Sequence, residues 1–387
     1  MRVAMVASAV PPRTGGAEVS VALQAAGLAR RGVVVDLLAG NEPAPALRAG
    51  FTASGGTTIV AASSPPAGRV PWEHEAFDRA HALHRHLATT EVDVVHAFSH
   101  ASALAAAIAL TGTTRPALLA SFHEITAQTT ADGRAQCAFV YALERIDLHV
   151  TLSGYYDRVA ASYGVPAERR RRARQGIEVE RFANGSRSAG RRMLRIGDGE
   201  RVVLCPSRFA RWKGQLELVR AAGRLRRDGR DLRLVLAGSL HGGTTAYREE
   251  LEREIAALGL TDRVDLLEDV PYEHMPDVLA SADVVVQPSH REGLGLAAVE
   301  AMAAGVPVVA AAVTGLDEYC VDGHNCLTFP ARDEEALAVA LRRLLDEPSL
   351  GARLVAGGSR TAEDLDAGDG VDDLLALYEE LTSAAPA

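Results

Sequence analysis

Pro288-Ser289-His290-Arg291-Glu292-Gly293-Leu294-Gly295-Leu296-Ala297-Ala298-Val299-Glu300-Ala301-Met302 is the stretch that decides how this chain is read. It follows the β-branched run Val284-Val285-Val286-Gln287 and opens an apolar helix, so it is a strand-to-helix turn. Gly293 and Gly295 present no Cβ, which lets the main chain approach a ligand closely. The free N–H groups and positive dipole at such a helix start favour a diphosphate. Glu292, in the turn, can accept hydrogen bonds from sugar hydroxyls; Glu300, inside the helix, can grip a ribose diol. The plain alternative is an ordinary turn with Glu292 on the helix dipole and Glu300 in solvent. Against it, Glu300 sits among Leu296-Ala297-Ala298-Val299 and Ala301-Met302, and a charge in so apolar a helix usually has a partner. The glycines also match a relaxed G-x-G-x-x-A dinucleotide fingerprint, with Asp317 about 20 residues further on, which would suit an NAD-dependent oxidoreductase. That match falls late in the chain, and the first strand is followed by Gly15-Gly16 instead.

Outward from this turn, short β-branched runs alternate with longer amphipathic segments. Strands are expected at 3–7, 33–38, 92–95, 117–121 and 148–152, with helices at 17–31, 75–88, 101–109 and 134–145. A second series puts strands at 202–205, 232–237, 264–267, 284–287, 306–310 and 326–329, and helices at 216–227, 247–258, 296–304 and 334–346. Such alternation implies α/β architecture with doubly wound parallel sheets. At 387 residues the chain exceeds the size at which one core stops growing. The expected organisation is a Rossmann-like domain over 1–182, a linker over 183–200 where Asn184-Gly185-Ser186 breaks the periodicity, and a second Rossmann-like domain over 201–365. A helix within 366–387 is expected to cross back to the first domain. Ligands of such domains bind at the carboxyl ends of the strands.

Glu292 and Glu300, separated by seven residues, resemble the paired-glutamate signature of retaining glycosyltransferases of family 4, which have the two-domain GT-B fold. Three further pieces fall in that family's order: Gly15-Gly16-Ala17-Glu18, Ser121-Phe122-His123-Glu124, and Pro206-Ser207-Arg208-Phe209-Ala210-Arg211-Trp212-Lys213-Gly214. The resemblance covers nearly the whole chain. It implies two Rossmann-like domains facing across a cleft, with a UDP-sugar as substrate and no cofactor. Arg208 and Lys213 would hold the donor diphosphate and stabilise the departing nucleotide, with His123 and Glu292 completing the catalytic set. The donor would also meet Gly16, Gly238, Val270, Gly293, Leu294, Gly295 and Glu300; Glu18 and Glu124 would face the acceptor. The chemistry of Arg208 and Lys213 supports this separately: both follow the expected strand 202–205 at its carboxyl end, where two cations can stabilise leaving-group charge. More weakly, the chain looks similar to glycosyltransferases of aminoglycoside-antibiotic pathways, which implies the aminocyclitol 2-deoxystreptamine as a small polar, cationic acceptor. Inositol-type and lipid-linked acceptors compete with it. An epimerase and a non-catalytic sugar-nucleotide-binding protein are the other classes in play. Where the family often has Asn-Gly-Ile/Val-Asp, this chain has Gln175-Gly176-Ile177-Glu178, and no role is transferred there.

The net charge of −9 argues against a general nucleic-acid binder. Four scattered cysteines without a CxxC pair suit a reducing cytoplasm and offer no zinc site, and no apolar run is long enough to span a bilayer. His74, His81, His84 and His86 lack a partner constellation for a metal and read as surface helix. Arg169-Arg170-Arg171-Arg172 reads as a solvated turn rather than a lipid- or phosphate-binding cluster, and Asp364-Leu365-Asp366 as solvated surface.

Overall fold

The computed structural model describes residues 1–11, 15–61, 71–113, 116–121, 142–197, 199–239 and 245–383. It separates into two compact units, Met1–Gln175 with Ala367–Ala387, and Gly176–Asp366.

Among the described residues the first unit holds seven strands: β1 (Arg2–Val6), β2 (Val34–Ala39), β3 (Thr58–Val60), β4 (Val94–Ala97), β5 (Ala117–Ser121), β6 (Leu148–Thr151) and β7 (Arg170–Arg172). They form one sheet in the order β3-β2-β1-β4-β5-β6-β7, parallel throughout. Two strands had not been expected. β3 is only three residues long, and β7 is Arg-Arg-Arg, a sequence with no apolar signal. Tertiary pairing decides β7: Arg170 bonds Asp157 at 3.0 Å, Arg171 bonds Glu380 at 2.8 Å, and Arg169 donates to the carbonyls of Glu144 and Ile146. The arginine run is an ion-paired sheet edge, not a solvated turn.

The second unit holds β8 (Val202–Pro206), β9 (Arg233–Gly238), β10 (Val264–Glu268), β11 (Val284–Gln287), β12 (Val308–Ala311) and β13 (Leu327–Phe329). Its six-stranded parallel sheet runs β10-β9-β8-β11-β12-β13. Alternate residues feed two cores. Val203, Cys205, Val284 and Val286 face one, while Val202, Leu204 and Val285 face the other. Because both faces are covered, these strands read as continuous apolar runs.

Residues 183–200 are not a linker. Helix Arg187–Met193 packs on helix Met275–Ala280 inside the second unit, and Ser186 N–H donates to Asp277 at 2.7 Å. Gly185, part of the stretch that breaks the periodicity, is a close-packing position, and so is Gly190. A Cβ on Gly185 would lie 2.3 Å from the Pro276 carbonyl oxygen, and one on Gly190 would lie 1.9 Å from that of Asp277. The chain instead passes between units at residues 175–176 and 366–367. Leu365 of the acidic triplet packs against the core, and its carbonyl accepts from Ile177 N–H at 3.0 Å. Helix Ala367–Ser383 belongs to the first unit and packs on helix Gly16–Arg30, where Gly27 leaves room for Val371. Arg174 pairs with Asp369 and Asp373 along it.

Helix Pro348–Glu363 was not anticipated, since three glycines dilute its pattern. Two of them let it lie against its neighbours: a Cβ on Gly357 would meet the His324 carbonyl oxygen at 2.2 Å, and one on Gly358 would meet Met302 at 3.0 Å. On helix Pro71–Leu87, His81 and His84 are exposed, whereas His86 hydrogen-bonds the buried Asp36 at 2.9 Å. Among the described residues, no helix is long and apolar enough to cross a membrane.

Candidate active site

In the second unit the strand order reverses between β8 and β11, and connections from that point leave the sheet in opposite directions. A doubly wound sheet offers its ligand crevice at such a switch, beyond the carboxyl ends of the strands. The two loops that leave β8 and β11 carry the basic turn and the glycine turn. They are tied together by His290 N–H donating to the Trp212 carbonyl at 2.8 Å, and by His290 Nε2 against Glu217 at 2.8 Å. Gly214, at φ 72°, permits the contact, because a Cβ there would lie 1.9 Å from the Pro288 carbonyl oxygen.

The turn after β8 is held from beneath. Gln215 is fully buried; its amide donates to the carbonyls of Ser207 (3.3 Å) and Arg208 (2.7 Å), and its oxygen accepts from Tyr247 at 3.2 Å. Three cations gather on Trp212: the Lys213 ammonium lies 4.3 Å from the ring centroid, with the Arg291 and Arg208 guanidinium carbons at 5.5 and 5.6 Å. Arg211 turns away, pairing with Glu250 and Tyr247. Lys213 Nζ also donates to Glu292 Oε1 at 2.6 Å, and both side chains are largely buried, at 13% and 8% exposure. An ammonium has three donors. Glu292 takes one, which leaves capacity for an anion.

Gly295, at φ 80°, is the N-cap of helix Leu296–Ala303; its carbonyl accepts from the Tyr319 hydroxyl at 2.8 Å. Leu294 directs its side chain into the core, so this part of the turn offers a ligand main chain only. Glu300 lies one turn further along, in the same packed layer as helix Val179–Ala183. Burial pushes its carboxyl up to about 7, with Arg181 opposing that shift. Arg181 stacks 4.6 Å from the Tyr272 ring centroid and pairs with Glu178 at 3.0 Å. The Tyr272 hydroxyl is buried without a hydrogen-bond partner among the described residues, and burial together with the Glu300 charge raises it above the ordinary phenol range.

Arg208, Lys213, Glu292, Gly293, Leu294, Gly295 and Glu300 thus lie on two adjoining loops and the helix that one of them opens. Gly238 ends β9, its Cα against the Ser207 carbonyl oxygen, which a Cβ would approach to 2.0 Å. Its own carbonyl accepts from Asp269 N–H at 3.0 Å, holding Asp269 at φ 50° just before Val270. In the first unit, Gly16 opens the helix after β1, and the Glu18 carboxylate folds back toward Gly15, where it suits the positive helix end. His123 and Glu124 lie outside the described residues. Sequence reasoning gave no role to Trp212, Gln215, Gln287, Ser289, Arg291 or Tyr319. Only Arg291, inside the quoted turn, carried a visible signal, its charge.

Residues 186–360 match the family described as Glycosyl transferases group 1, and residues 14–181 match Glycosyltransferase Family 4. A curated relative from Catenulispora acidiphila, named D-inositol 3-phosphate glycosyltransferase 1, is 32% identical over 74% of this chain and 72% of its own length. This chain belongs to the group 1/family 4 glycosyltransferases. A further relative, from Mycolicibacterium smegmatis, is named GDP-mannose-dependent alpha-(1-6)-phosphatidylinositol monomannoside mannosyltransferase; it is 34% identical over 54% of this chain and 55% of its own. The sucrose-phosphate synthase of Thermosynechococcus elongatus shares the fold across the whole of both chains, with a TM-score of 0.84 at 23% identity. Glycosyltransferase membership replaces the oxidoreductase alternative: Gly293 and Gly295 serve a late turn of the GT-B second domain, and Asp317 accepts from Gly315 N–H at 3.0 Å. The aminocyclitol expectation has no support among these relatives, which are named for inositol acceptors.

Gly315 gives a direct test of this glycosyltransferase turn. It sits at φ 91°, and a Cβ there would lie 2.5 Å from the Glu292 carbonyl oxygen and 2.8 Å from Gly293 main-chain atoms. Gly323 has a similar φ of 71° but nothing within 4 Å. Gly323→Ala is expected to cost about 1 kcal/mol from backbone strain alone, whereas Gly315→Ala adds the displacement of the glycine turn, for about 3 kcal/mol in all. Equal melting temperatures for the two variants would refute the packing account.

Proposed function

We propose that this glycosyltransferase moves a hexose from a UDP-sugar to an inositol-type acceptor bearing a phosphate, with retention of anomeric configuration. The observation that carries the donor half is the cation group Arg208, Lys213 and Arg291 around Trp212, beside Glu292 at the switch point of a parallel sheet. Positive charge at that place supports a pyrophosphate, and the N-terminus of helix Leu296–Ala303 adds main-chain donors. The acceptor half rests on the Catenulispora relative and on the phosphatidylinositol-directed one.

In this reading Lys213 and Arg208 neutralise charge on the departing nucleotide. Glu292 accepts from a sugar hydroxyl, Glu300 grips the ribose, and Gly238 and Val270 border the nucleobase. The acceptor hydroxyl attacks from the face the nucleotide leaves, and a donor phosphate oxygen takes its proton. The protein then needs no strong base; positioning and electrostatic stabilisation supply the rate. By the family resemblance, His123 is assigned to catalysis, Gly16 to the donor, and Glu18 and Glu124 to the acceptor.

Purified protein is incubated with UDP-glucose, UDP-N-acetylglucosamine or GDP-mannose, each paired with D-inositol 3-phosphate, free inositol or 2-deoxystreptamine, and products are weighed by mass spectrometry. Product with a UDP-sugar and inositol 3-phosphate is expected. Turnover only with GDP-mannose would replace the donor, and turnover only with 2-deoxystreptamine would replace the acceptor.

A further inference from the structure

Two buried residues beside Glu292 have no place in the reaction outlined above. Glu292 Oε1 accepts three hydrogen bonds, from Lys213 Nζ, Gln287 Nε2 and Ser289 Oγ, each at 2.6 Å. Gln287 Nε2 also donates to Ser289 Oγ at 3.0 Å, which braces the pair. Among the described residues nothing donates to Glu292 Oε2. Gln287 is 1% exposed and Ser289 not at all, so water does not compete for either.

Strand register directs Gln287. It follows Val285 by two residues on β11, so both face the core beneath helix Leu296–Ala303. Its Oε1 is buried without a hydrogen-bond partner among the described residues. Turning the amide over would set that oxygen against a carboxylate, which only accepts, and would lose the bond to Glu292. A buried acceptor left unsatisfied is uncommon and calls for a reason. Here the reason is the carboxylate. The terminal torsion of a glutamate is soft, and a lysine ammonium is a compact charge that does not fix the plane of its partner. Lys213 alone would hold Glu292 without aiming it; a serine and a rigidly seated amide aim it.

We propose that Gln287 and Ser289 are positioning residues that clamp Glu292 Oε1 and present Oε2 to one hydroxyl of the donor sugar, thereby setting discrimination among donor sugars. This rests on reading Glu292 as a sugar contact. A site built to bond a hydroxyl rejects the analogue that lacks it, and that rejection depends on the acceptor being held in place.

The test compares kcat/KM for UDP-glucose, or for GDP-mannose if that is the sugar turned over, with the values for its monodeoxy analogues. Wild type, Gln287→Leu, Ser289→Ala and Ser289→Thr are measured. Wild type is expected to disfavour one deoxy position by about 100-fold or more. That ratio is expected to fall about tenfold in Gln287→Leu and Ser289→Ala, at that position only, with threonine restoring it. A general folding defect would lower both rates and leave their ratio alone. Should the leucine variant not fold, Ser289→Ala, which removes a single oxygen, decides the matter. An unchanged ratio in the variants, with wild type discriminating, overturns the clamp. Wild type that tolerates every deoxy analogue removes the sugar-contact reading of Glu292 and the clamp with it.

Discussion

Lys213→Ala is expected to lower turnover by about 10²–10³-fold, the cost of losing one preorganised group that meets charge developing in the transition state. Lys213 lies nearest the Trp212 ring of the three cations and, at 13% exposure, bonds Glu292 at 2.6 Å. Its removal takes away leaving-group stabilisation and also leaves a largely buried carboxylate with two neutral donors, Gln287 and Ser289. The second effect is expected to cost about 1–3 kcal/mol of stability, so rates are measured well below the melting transition. The loss should appear mainly in kcat, because the charge on the bridging oxygen grows as the bond breaks. Arg208→Ala should follow the same pattern. Near wild-type kcat in both variants would remove the diphosphate from this turn.

Glu300→Gln is expected to make the protein more stable at pH 8 while it binds donor less well. The Glu300 carboxyl is raised from an ordinary 4.5 to about 7 by burial, with Arg181 only partly offsetting it. Below pH 4.5 the group is protonated in both folded and unfolded chains, and its favourable contribution relative to high pH is fully present. As pH climbs toward 7 the unfolded chain ionises while the folded one holds its proton, and that contribution is lost, up to about 3 kcal/mol by pH 8. Glutamine has no proton to lose. The variant should therefore melt several degrees higher than wild type at pH 8, at about 2–4 °C per kcal/mol, and at nearly the same temperature at pH 4.5. Over the same range the wild-type Kd for UDP should tighten as the carboxylate forms, since a charged acceptor bonds a ribose diol more strongly; the glutamine variant should show a flat profile and a Kd about 10–100-fold weaker at pH 8. Calorimetry at pH 6 and 8 reads this directly. A lower melting temperature for the variant at pH 8 would contradict the burial account, and a flat wild-type profile would take Glu300 out of the donor site.

Much of the candidate site was legible because its residues are close in sequence. Gly293, Gly295, Glu292 and Glu300 share one turn and one helix, where spacing alone fixes their relation, and Arg208 with Lys213 share another. The partners that position them are not close in sequence. Gln215 anchors the β8 turn through main-chain carbonyls, and Tyr319 reaches Gly295 from beyond β12. Arg181 and Tyr272 come to Glu300 from separate segments, and no local pattern foretells such meetings.

Local pattern is enough to require two parallel sheets, since runs such as Val284-Val285-Val286 between amphipathic stretches have no other way to bury both of their faces. It also determined which turns could approach an anion, through glycines and cations at strand ends. The division between units, by contrast, was set by long-range packing. Gly185 reads locally as a break in the pattern, yet it and Gly190 are the positions where the segment meets Pro276 and Asp277. Such packing likewise decided that Arg170–Arg172 is a strand, through pairing with β6 and through carboxylates on two helices, Asp157 nearby and Glu380 in the last helix. In both cases the physical reason is the same: a glycine or an arginine is given its role by the surface brought against it, and that surface exists only once the chain has folded.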